Sequence, residues 1–441
     1  MKVEKDLPRT PRTARILFAS LAGTTIEFYD FYIYTTAAAL VIGPVFFPAS
    51  DPSVQTLNAF LTFGLAFIAR PVGSALFGHF GDRIGRKSTL VASLLVMGLS
   101  TVLIGVLPGY DTLGASAAVI LCLLRFGQGI GLGGEWGGAA LLATENATAG
   151  RRAWFGMFPQ LGPSIGFLLA NGLFLLLVSV MSEAEFRSWG WRLPFLASAV
   201  LVAIGLYVRI SLLETPAFLR AMAVRQPLPV PLATVLRTAW LPLIQGSLSI
   251  VVCYSLFYMS TGFALNHGVT VLHIPKNSFL LLLCVAILFM AVGTPLSAWL
   301  ADRWGRRPVL LAGAAAAAAS GFLLPVLLGS SDTLAVTAFL SLQLFLMGMT
   351  FGPLGALLPE LFPTRLRYTG AAVAYNLGGI LGASLAPYIA QRLSQDLGLA
   401  WVGYYISAAA VISFLAVLSM RETSGEDLAA LDLAGEGQPA E

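Results

Sequence analysis

Long apolar stretches alternate with short polar turns along almost the whole chain. Twelve stretches, near residues 16–44, 57–79, 89–108, 116–143, 153–181, 190–211, 239–265, 278–300, 309–328, 334–357, 369–391 and 400–420, are each long enough to cross roughly 30 Å of hydrocarbon as a helix. Glycine and proline are frequent inside them, which membrane helices tolerate because neighbouring helices re-satisfy the broken backbone bonds. The pattern predicts an all-α membrane protein with twelve transmembrane helices. One sizeable polar connection, residues 214–237, falls between the sixth and seventh stretches. It divides the chain into an N-terminal six-helix half (16–213), a cytoplasmic linker (214–237) and a C-terminal six-helix half (238–421). A small, acidic tail (422–441) is expected to be disordered.

The polar turns repeat. GHFGDRIGRK at 78–87 returns as AWLADRWGRR at 298–307, with Asp82 and Asp302 220 residues apart. FPQLGPSIGFLLA from Phe158 is echoed 216 residues later by AYNLGGILGASLA from Ala374. Glu145 and Glu360 each close an apolar stretch just before a basic turn. Three echoes at nearly one spacing indicate a duplicated half-chain. Two similar halves in a membrane protein are a mark of alternating access.

Basic residues orient the helices. With the N-terminus inside, the inner segments hold 20 of the 26 lysines and arginines, and the outer loops hold four, Arg187, Arg192, Lys276 and Arg392. This bias puts both termini in the cytoplasm, and the net charge of +4 then reflects sidedness rather than nucleic-acid binding. Only 11% of residues are charged, too few to cover a water-facing surface. The first stretch is too long for the apolar core of a signal peptide and reads as a retained anchor. Cys122, Cys253 and Cys284 are too scattered for a disulfide framework or a metal site.

The doubled Asp-Arg-x-Gly-Arg turn, the twelve spans and the central linker together resemble the major facilitator superfamily. TIEFYDFYIY (25–34), RFGQGIGLGGEWGGAALLATENA (125–147) and SWGWRLPFLAS (188–198) are similar to its metabolite:proton symporter branch, most of all to the shikimate carrier and its relatives. Members of that branch carry shikimate, citrate, 2-oxoglutarate, or proline and betaine. The resemblance runs from about Leu21 to Arg421. It implies two pseudo-symmetric six-helix halves and a multi-pass protein of the bacterial inner (plasma) membrane. It also implies proton symport of a small organic acid or zwitterion into the cell. A proton-coupled exporter of organic compounds is the alternative. The expected partners are the lipid bilayer, a small-molecule metabolite and protons. No cofactor is expected beyond the proton as coupling ion, and the chain is expected to work as a monomer.

Charged residues within a bilayer are costly, so each is a candidate for function. Five lie well inside the stretches, all in the first half: Glu27, Asp30, Arg70, Arg125 and Glu135. Three acids outnumber two bases, so one carboxyl lacks a partner and takes up a proton more readily than it stays charged. Glu27 and Asp30, three apart on one helix face, are the expected proton-coupling pair, with Glu135 as a further carrier. Glu27 lies roughly 18 Å from the inner end of its stretch, and Arg125 roughly 13 Å below the outer end of its own. These levels nearly coincide at mid-depth. Arg125 is therefore expected to grip a substrate carboxylate, since a guanidinium offers two parallel bonds. Arg70 is expected to pair inside the membrane. Gln128, Tyr29, Tyr32, Gln160, Tyr375 and Asn376 are candidates to line the same cavity. The tyrosines also read as packed aromatics, and the two amides as bonds to backbone carbonyls at helix kinks. A buried ion-pair network that only pins helices is the structural alternative for the charges.

The duplicated turns carry what the resemblance implies is a cytoplasmic gate: Gly78, Asp82, Arg83, Gly85, Arg86, Lys87 and Glu145 in the first half, Asp302, Arg303, Gly305, Arg306, Arg307 and Glu360 in the second. The second copy departs from the first, with Ala301 in place of Gly81 and Pro308 after the basic pair, which weakens the expectation of a latch there. Gly129-x-Gly131-x-x-Gly134 fits a dinucleotide fingerprint but lies in an apolar span without a preceding strand, and reads as close helix packing. Gly162-Pro163-Ser164-Ile165-Gly166 fits a hydrolase nucleophile pattern, yet its echo carries no serine. No nucleophile, base and oxyanion donors meet at one level, so enzyme chemistry is not expected.

The 20-to-4 bias makes one direct prediction. A single cysteine introduced as Lys276→Cys should react with a membrane-impermeant thiol reagent from outside, and Lys87→Cys only from inside. The reverse labelling would overturn the topology.

Overall fold

The computed structural model describes residues 10–48, 51–84, 86–148, 150–211, 231–330, 332–363 and 366–425. Side chains at 78–88 fall outside that description. Twelve helical units follow one another. α1 runs over Thr10–Ala37 and continues through a π turn, Ala38–Ile42, into Gly43–Phe46. α2 is Pro52–Ile84, α3 Arg86–Val106, α4 Ala115–Glu145, α5 Arg152–Val180 and α6 Leu193–Ser211. In the second half α7 is Trp240–Thr270, α8 Lys276–Trp304, α9 Arg306–Gly321 with Leu324–Leu327, α10 Thr333–Glu360, α11 Arg367–Asp396 and α12 Leu399–Leu418.

Nine of these are, among the described residues, long and apolar enough to cross a membrane on length and composition alone. The other three fall short for visible reasons. α1 carries Glu27 and Asp30, the apolar part of α3 is only Val91–Val106, and α9 loosens after Gly321. Large apolar side chains such as Leu99, Leu123, Val180, Val200 and Val326 face outward, as lipid contact requires. Exposed Tyr207, Trp240, Trp304 and Trp401 sit at helix ends, where amphipathic rings prefer the interface.

The duplication inferred from three short echoes is built into the packing. In the first half α1 packs on α5, α2 on α4, and α3 on α6. The second half repeats this as α7 on α11, α8 on α10, and α9 on α12. The halves meet along two further matched pairs, α5 with α8 and α2 with α11. Close approach is set by small residues. A Cβ on Gly129 would lie 2.1 Å from the Ala66 carbonyl oxygen, and one on Gly133 2.0 Å from that of Arg70. The apparent dinucleotide fingerprint is thus the seam between α4 and α2.

Two expected boundaries move. Pro231–Thr238, read from sequence as linker, is a short helix whose Val235 is buried, while 212–230 lie outside the described residues. Glu422 to Gly425, read as the start of a disordered tail, are placed against the second basic turn. The Glu422 carboxylate accepts from the Arg306 and Arg307 amides at 2.8 and 2.9 Å, donors that the first turn of α9 would otherwise leave bare.

At the outer end, a short helix Glu183–Ser188 begins with a reciprocal Ser182–Glu185 cap. Glu183 accepts from Arg187 at 2.6 Å and from Lys276 at 2.5 Å, tying the first half to the start of α8. Partial burial pushes the Glu183 carboxyl up, but the hydrogen bonds and charges of Lys276 and Arg187 outweigh this and hold it below its ordinary value. The folded form therefore favours the ionised carboxylate. The clasp contributes fully above the ordinary carboxylate range and is lost as pH falls through the lowered value. Glu183→Gln should lower the melting temperature slightly at pH 7, by the equivalent of about 0.5 kcal/mol for a half-exposed pair. The difference should shrink toward pH 3. A difference that stays constant down to pH 3 would remove the ion pair from the account.

Candidate functional site

All five intramembrane charges are buried, as are the candidate tyrosines and amides. The expected single cluster, however, separates into three environments. In the first, Arg125 is satisfied within its own half. Its Nη1 donates to Gln128 Oε1 at 2.6 Å, its Nη2 to the Phe63 carbonyl at 3.2 Å and its Nε to the Thr62 carbonyl at 3.5 Å. The guanidinium carbon lies 3.8 Å from the Tyr34 ring centre. Each of its three nitrogens makes a bond within this half, so the geometry favours a helix-pairing role for Arg125 over the expected carboxylate anchor. Gln128 is likewise structural. Its Nε2 donates to Thr101 Oγ1 at 2.7 Å, joining α4 to α3. The second half repeats this bond from Gln343 to Ser320 at 3.1 Å.

The second environment lies on the α1 face that carries Glu27 and Asp30. Asp30 is fully buried beside the Ser198 and Thr101 hydroxyls, and neither carboxylate oxygen closes a well-formed hydrogen bond. Among the described residues no base forms an ion pair with it. Tyr29 turns the other way and donates to the Pro194 carbonyl at 2.8 Å, so it fastens α1 to α6 and does not line a cavity. Glu135 sits where α4 loosens between Gly133 and Trp136 and accepts from Ser93 at 2.9 Å, facing α3 and not the centre.

The third environment is where the halves meet. Tyr32 stacks on Phe257 with ring centres 4.7 Å apart, and Tyr375 on Trp136 at 4.0 Å, each pair crossing from one half to the other. Arg70 packs against the edge-to-face pair of Phe31 and Phe67, 4.4 and 4.0 Å from their centres. Tyr254, Tyr258 and Tyr375 of the second half lie within its electrostatic reach. No carboxylate pairs with Arg70 among the described residues, which corrects the expectation of an intramembrane ion pair. Sequence reasoning missed Phe31, Phe67, Trp136, Tyr254 and Tyr258. Tyr254 and Tyr258 are four apart on one face of α7, a signal that was legible; the others are indistinguishable from ordinary apolar span residues.

The echoed amides form bonds across the two-fold axis. Gln160 on α5 donates to the Phe351 carbonyl of α10 at 3.0 Å and accepts from Trp136 at 2.9 Å. Asn376 on α11 donates to the Gly133 carbonyl of α4 at 3.1 Å and to Ser74 at 2.6 Å. They are matched clamps between halves. Of the two readings open from sequence, backbone bonding is the one observed.

The inner end is shut by the second basic turn. Asp302 accepts from the Ala153 and Trp154 amides at the start of α5, both at 2.9 Å, so a carboxylate of one half caps a helix of the other. Arg306 holds this group in place, 3.2 Å from Asp302 and 3.2 Å from Glu360. Arg152 reaches Glu360 at 3.7 Å. Glycine at 305 allows φ +101°, and Glu422 closes over it. The sequence departures at Ala301 and Pro308 do not weaken the second copy, because Ala301 is buried and Pro308 falls in the first turn of α9, where no amide is required. Arg303 stays exposed over Trp299, and Arg307 donates to the Leu418 carbonyl. In the first copy Gly85 lies outside the described residues. So do the side chains of Asp82, Arg83, Arg86 and Lys87, along with position 78, and Glu145 is exposed at the end of α4.

At the outer end the π turns of α1 and α7 touch, and above them a cavity of about 650 Å³ opens, lined by Gln55, Asn266, His267, Lys276 and Gln391 among others. The π-turn contact and the Asp302 contact thus lie at opposite ends of the helices that carry the buried polar residues.

Two matched six-helix halves that meet around buried polar residues have the form of a membrane transporter, and the family match makes the chain a transporter and not an enzyme. The chain belongs to the sugar (and other) transporter family of the major facilitator superfamily, whose model matches residues 16–226 and 233–433. It is 51% identical over 426 residues to the inner membrane metabolite transport protein YhjE of Escherichia coli, covering 95% of this chain and 97% of that one. It is 36% identical to the E. coli shikimate transporter, over 93% of this chain and 95% of that one. In fold it is similar to the proton:xylose symporter XylE, with a TM-score of 0.78 at 18% identity, over 96% and 98% of the two chains. It is a multi-pass transporter of the inner membrane.

The inner closure yields a prediction. Asp302→Asn keeps one acceptor but removes the charge at the start of α5, and should weaken the closed inner end by about 1 kcal/mol, roughly a fivefold shift toward the inward-open form. A single cysteine replacing Ala356, buried in one cluster with Ala153 and Met157, should then react faster from the cytoplasmic side. Unchanged reactivity would show that Asp302 is not part of the gate.

Proposed function

We propose that this protein takes up a small organic acid or zwitterionic metabolite together with a proton, by alternating access. The observation that carries the proton is Asp30. It is sealed from water on the same helix face as Glu27, beside two hydroxyls and without an ion-paired base among the described residues. A carboxylate left so in a dry interior is costly, and a carboxyl that alternates between proton-bearing and bare states supplies coupling without any cofactor. Glu27 and Asp30 act as a coupled pair. Glu135, turned toward α3, is the less favoured carrier. The inner closure at Asp302, Arg306 and Glu360 belongs to the outward-facing part of the cycle. The similarity to a shikimate transporter supports the organic-acid class. The exporter alternative would use the same residues in reverse.

The test is a flux assay in proteoliposomes with the outside acidified, using shikimate and glycine betaine as probes. Glu27→Gln and Asp30→Asn should each lose gradient-driven accumulation, while at least one keeps exchange at equal pH. If both variants still accumulate a probe under the gradient, the coupling site lies elsewhere.

A further inference from the structure

We infer that Arg70, rather than Arg125, grips the substrate, and that the substrate is an organic anion with one carboxylate and a hydrogen-bonding group beside it. The inference rests on the transport reading above and narrows its substrate class. Arg70 is 1% exposed, yet its Nε and Nη2 close no well-formed hydrogen bond, although the Tyr254 and Tyr258 hydroxyls lie near. These two nitrogens form one edge of the guanidinium, the edge that takes a carboxylate by two parallel bonds. The rings of Phe31 and Phe67, set edge to face with centres 5.0 Å apart, pack on the group and exclude water but cannot replace the missing acceptors. Arg125, equally buried, has all three nitrogens committed. Burial alone does not separate the two arginines; satisfaction does.

The second half supplies the rest. The hydroxyls of Tyr254 and Tyr375 are buried near each other and near Arg70, and likewise close no well-formed hydrogen bond. Their rings are 5.6 Å apart, and that of Tyr254 is 5.9 Å from Phe67, which flanks Arg70. A cation from α2 and two hydroxyls from α7 and α11, all unsatisfied, therefore converge where the halves meet. One bound molecule can satisfy all of them, and only when the halves are together. A single buried positive charge matches a single negative one. A cationic headgroup placed among the same rings would be repelled by Arg70.

The repeat gives an internal control. At the spacing that matches Asp82 with Asp302, Arg70 corresponds to Met290, which is fully buried on α8. The helix pair α8–α10 forms without a cation at this place, so the fold does not require one.

The experiment uses the purified full-length protein and two readouts. Without ligand, Arg70→Met should melt several degrees higher than wild type, because an uncompensated buried charge is removed, whereas Arg125→Met should melt lower, because satisfied bonds are lost. With ligand, the probes are shikimate, lactate and benzoate, each against its neutral amide, and glycine betaine. At least one carboxylate should raise the wild-type melting temperature while its amide does not. Arg70→Met and Arg70→Lys should weaken that response at least tenfold, and Tyr254→Phe should weaken it a few-fold. The assignment is overturned if Arg70→Met destabilises as Arg125→Met does, if a carboxylate response survives in Arg70→Met, or if wild type responds to no carboxylate in the panel. Wild-type accumulation of glycine betaine under a proton gradient, with no carboxylate response, would leave the transport reading standing and sink this one.

Discussion

Hydrocarbon offers a charge nothing to bond to, and the interior of this protein is organised around that fact. Most buried ionic groups draw their partners from within the protein, and Asp30 and Arg70 stand out because they do not. Arg125 takes carbonyls and an amide from its own half, and Arg306 takes Glu360 and Asp302. Asp302 takes the exposed amides of a helix belonging to the other half. Because such partners are short-range and directional, each one also fixes which helices lie side by side. The inner contact between the halves is this rule applied across the repeat: a carboxylate and a helix start satisfy one another.

The two-fold repeat separates what the fold needs from what the site needs. Features present in both halves are architectural: the glutamine-to-hydroxyl bonds of Gln128 and Gln343, and the amide clamps at Gln160 and Asn376. Features present in one half alone are free to serve the cargo. The acids of α1 and the guanidinium on α2 have no charged counterparts in α7 and α8, whose matching faces are aromatic or aliphatic. Asymmetry of charge on a symmetric frame is what gives the centre a polarity.

The fold was almost wholly legible, because twelve apolar stretches and three echoes leave little choice of topology. Burial of the charged residues was legible too, since their depth follows from helix rise. Their partners were not. Arg70 and Arg125 look alike in the chain, and only the turn of each helix about its axis decides which one meets Gln128 and which meets a ring of aromatics. Tyr29 shows the same limit: one residue's rotation from Phe28 sends it to the Pro194 carbonyl instead of the centre. The Gln343 echo of Gln128 was visible at the spacing of Glu145 and Glu360, and would have marked Gln128 as architectural. The role of Glu422 was hidden because a tail of small and acidic residues carries no periodic signal.

The π turns at Ala38–Ile42, Met259–Phe263 and Ile380–Ser384 have a separate consequence. Each accommodates one residue more than a regular turn, so everything beyond it is rotated by about 100° relative to an unbroken helix. The outer segments of α1, α7 and α11 therefore run out of phase with their inner segments. A residue-by-residue map of tolerance along these helices will not follow one continuous periodicity; the lipid-facing stripe steps round by about 100° at the π turn. The same extra residue can migrate along the helix by exchanging neighbouring hydrogen bonds one at a time, which gives these helices a way to rotate their ends without ever baring the backbone to lipid.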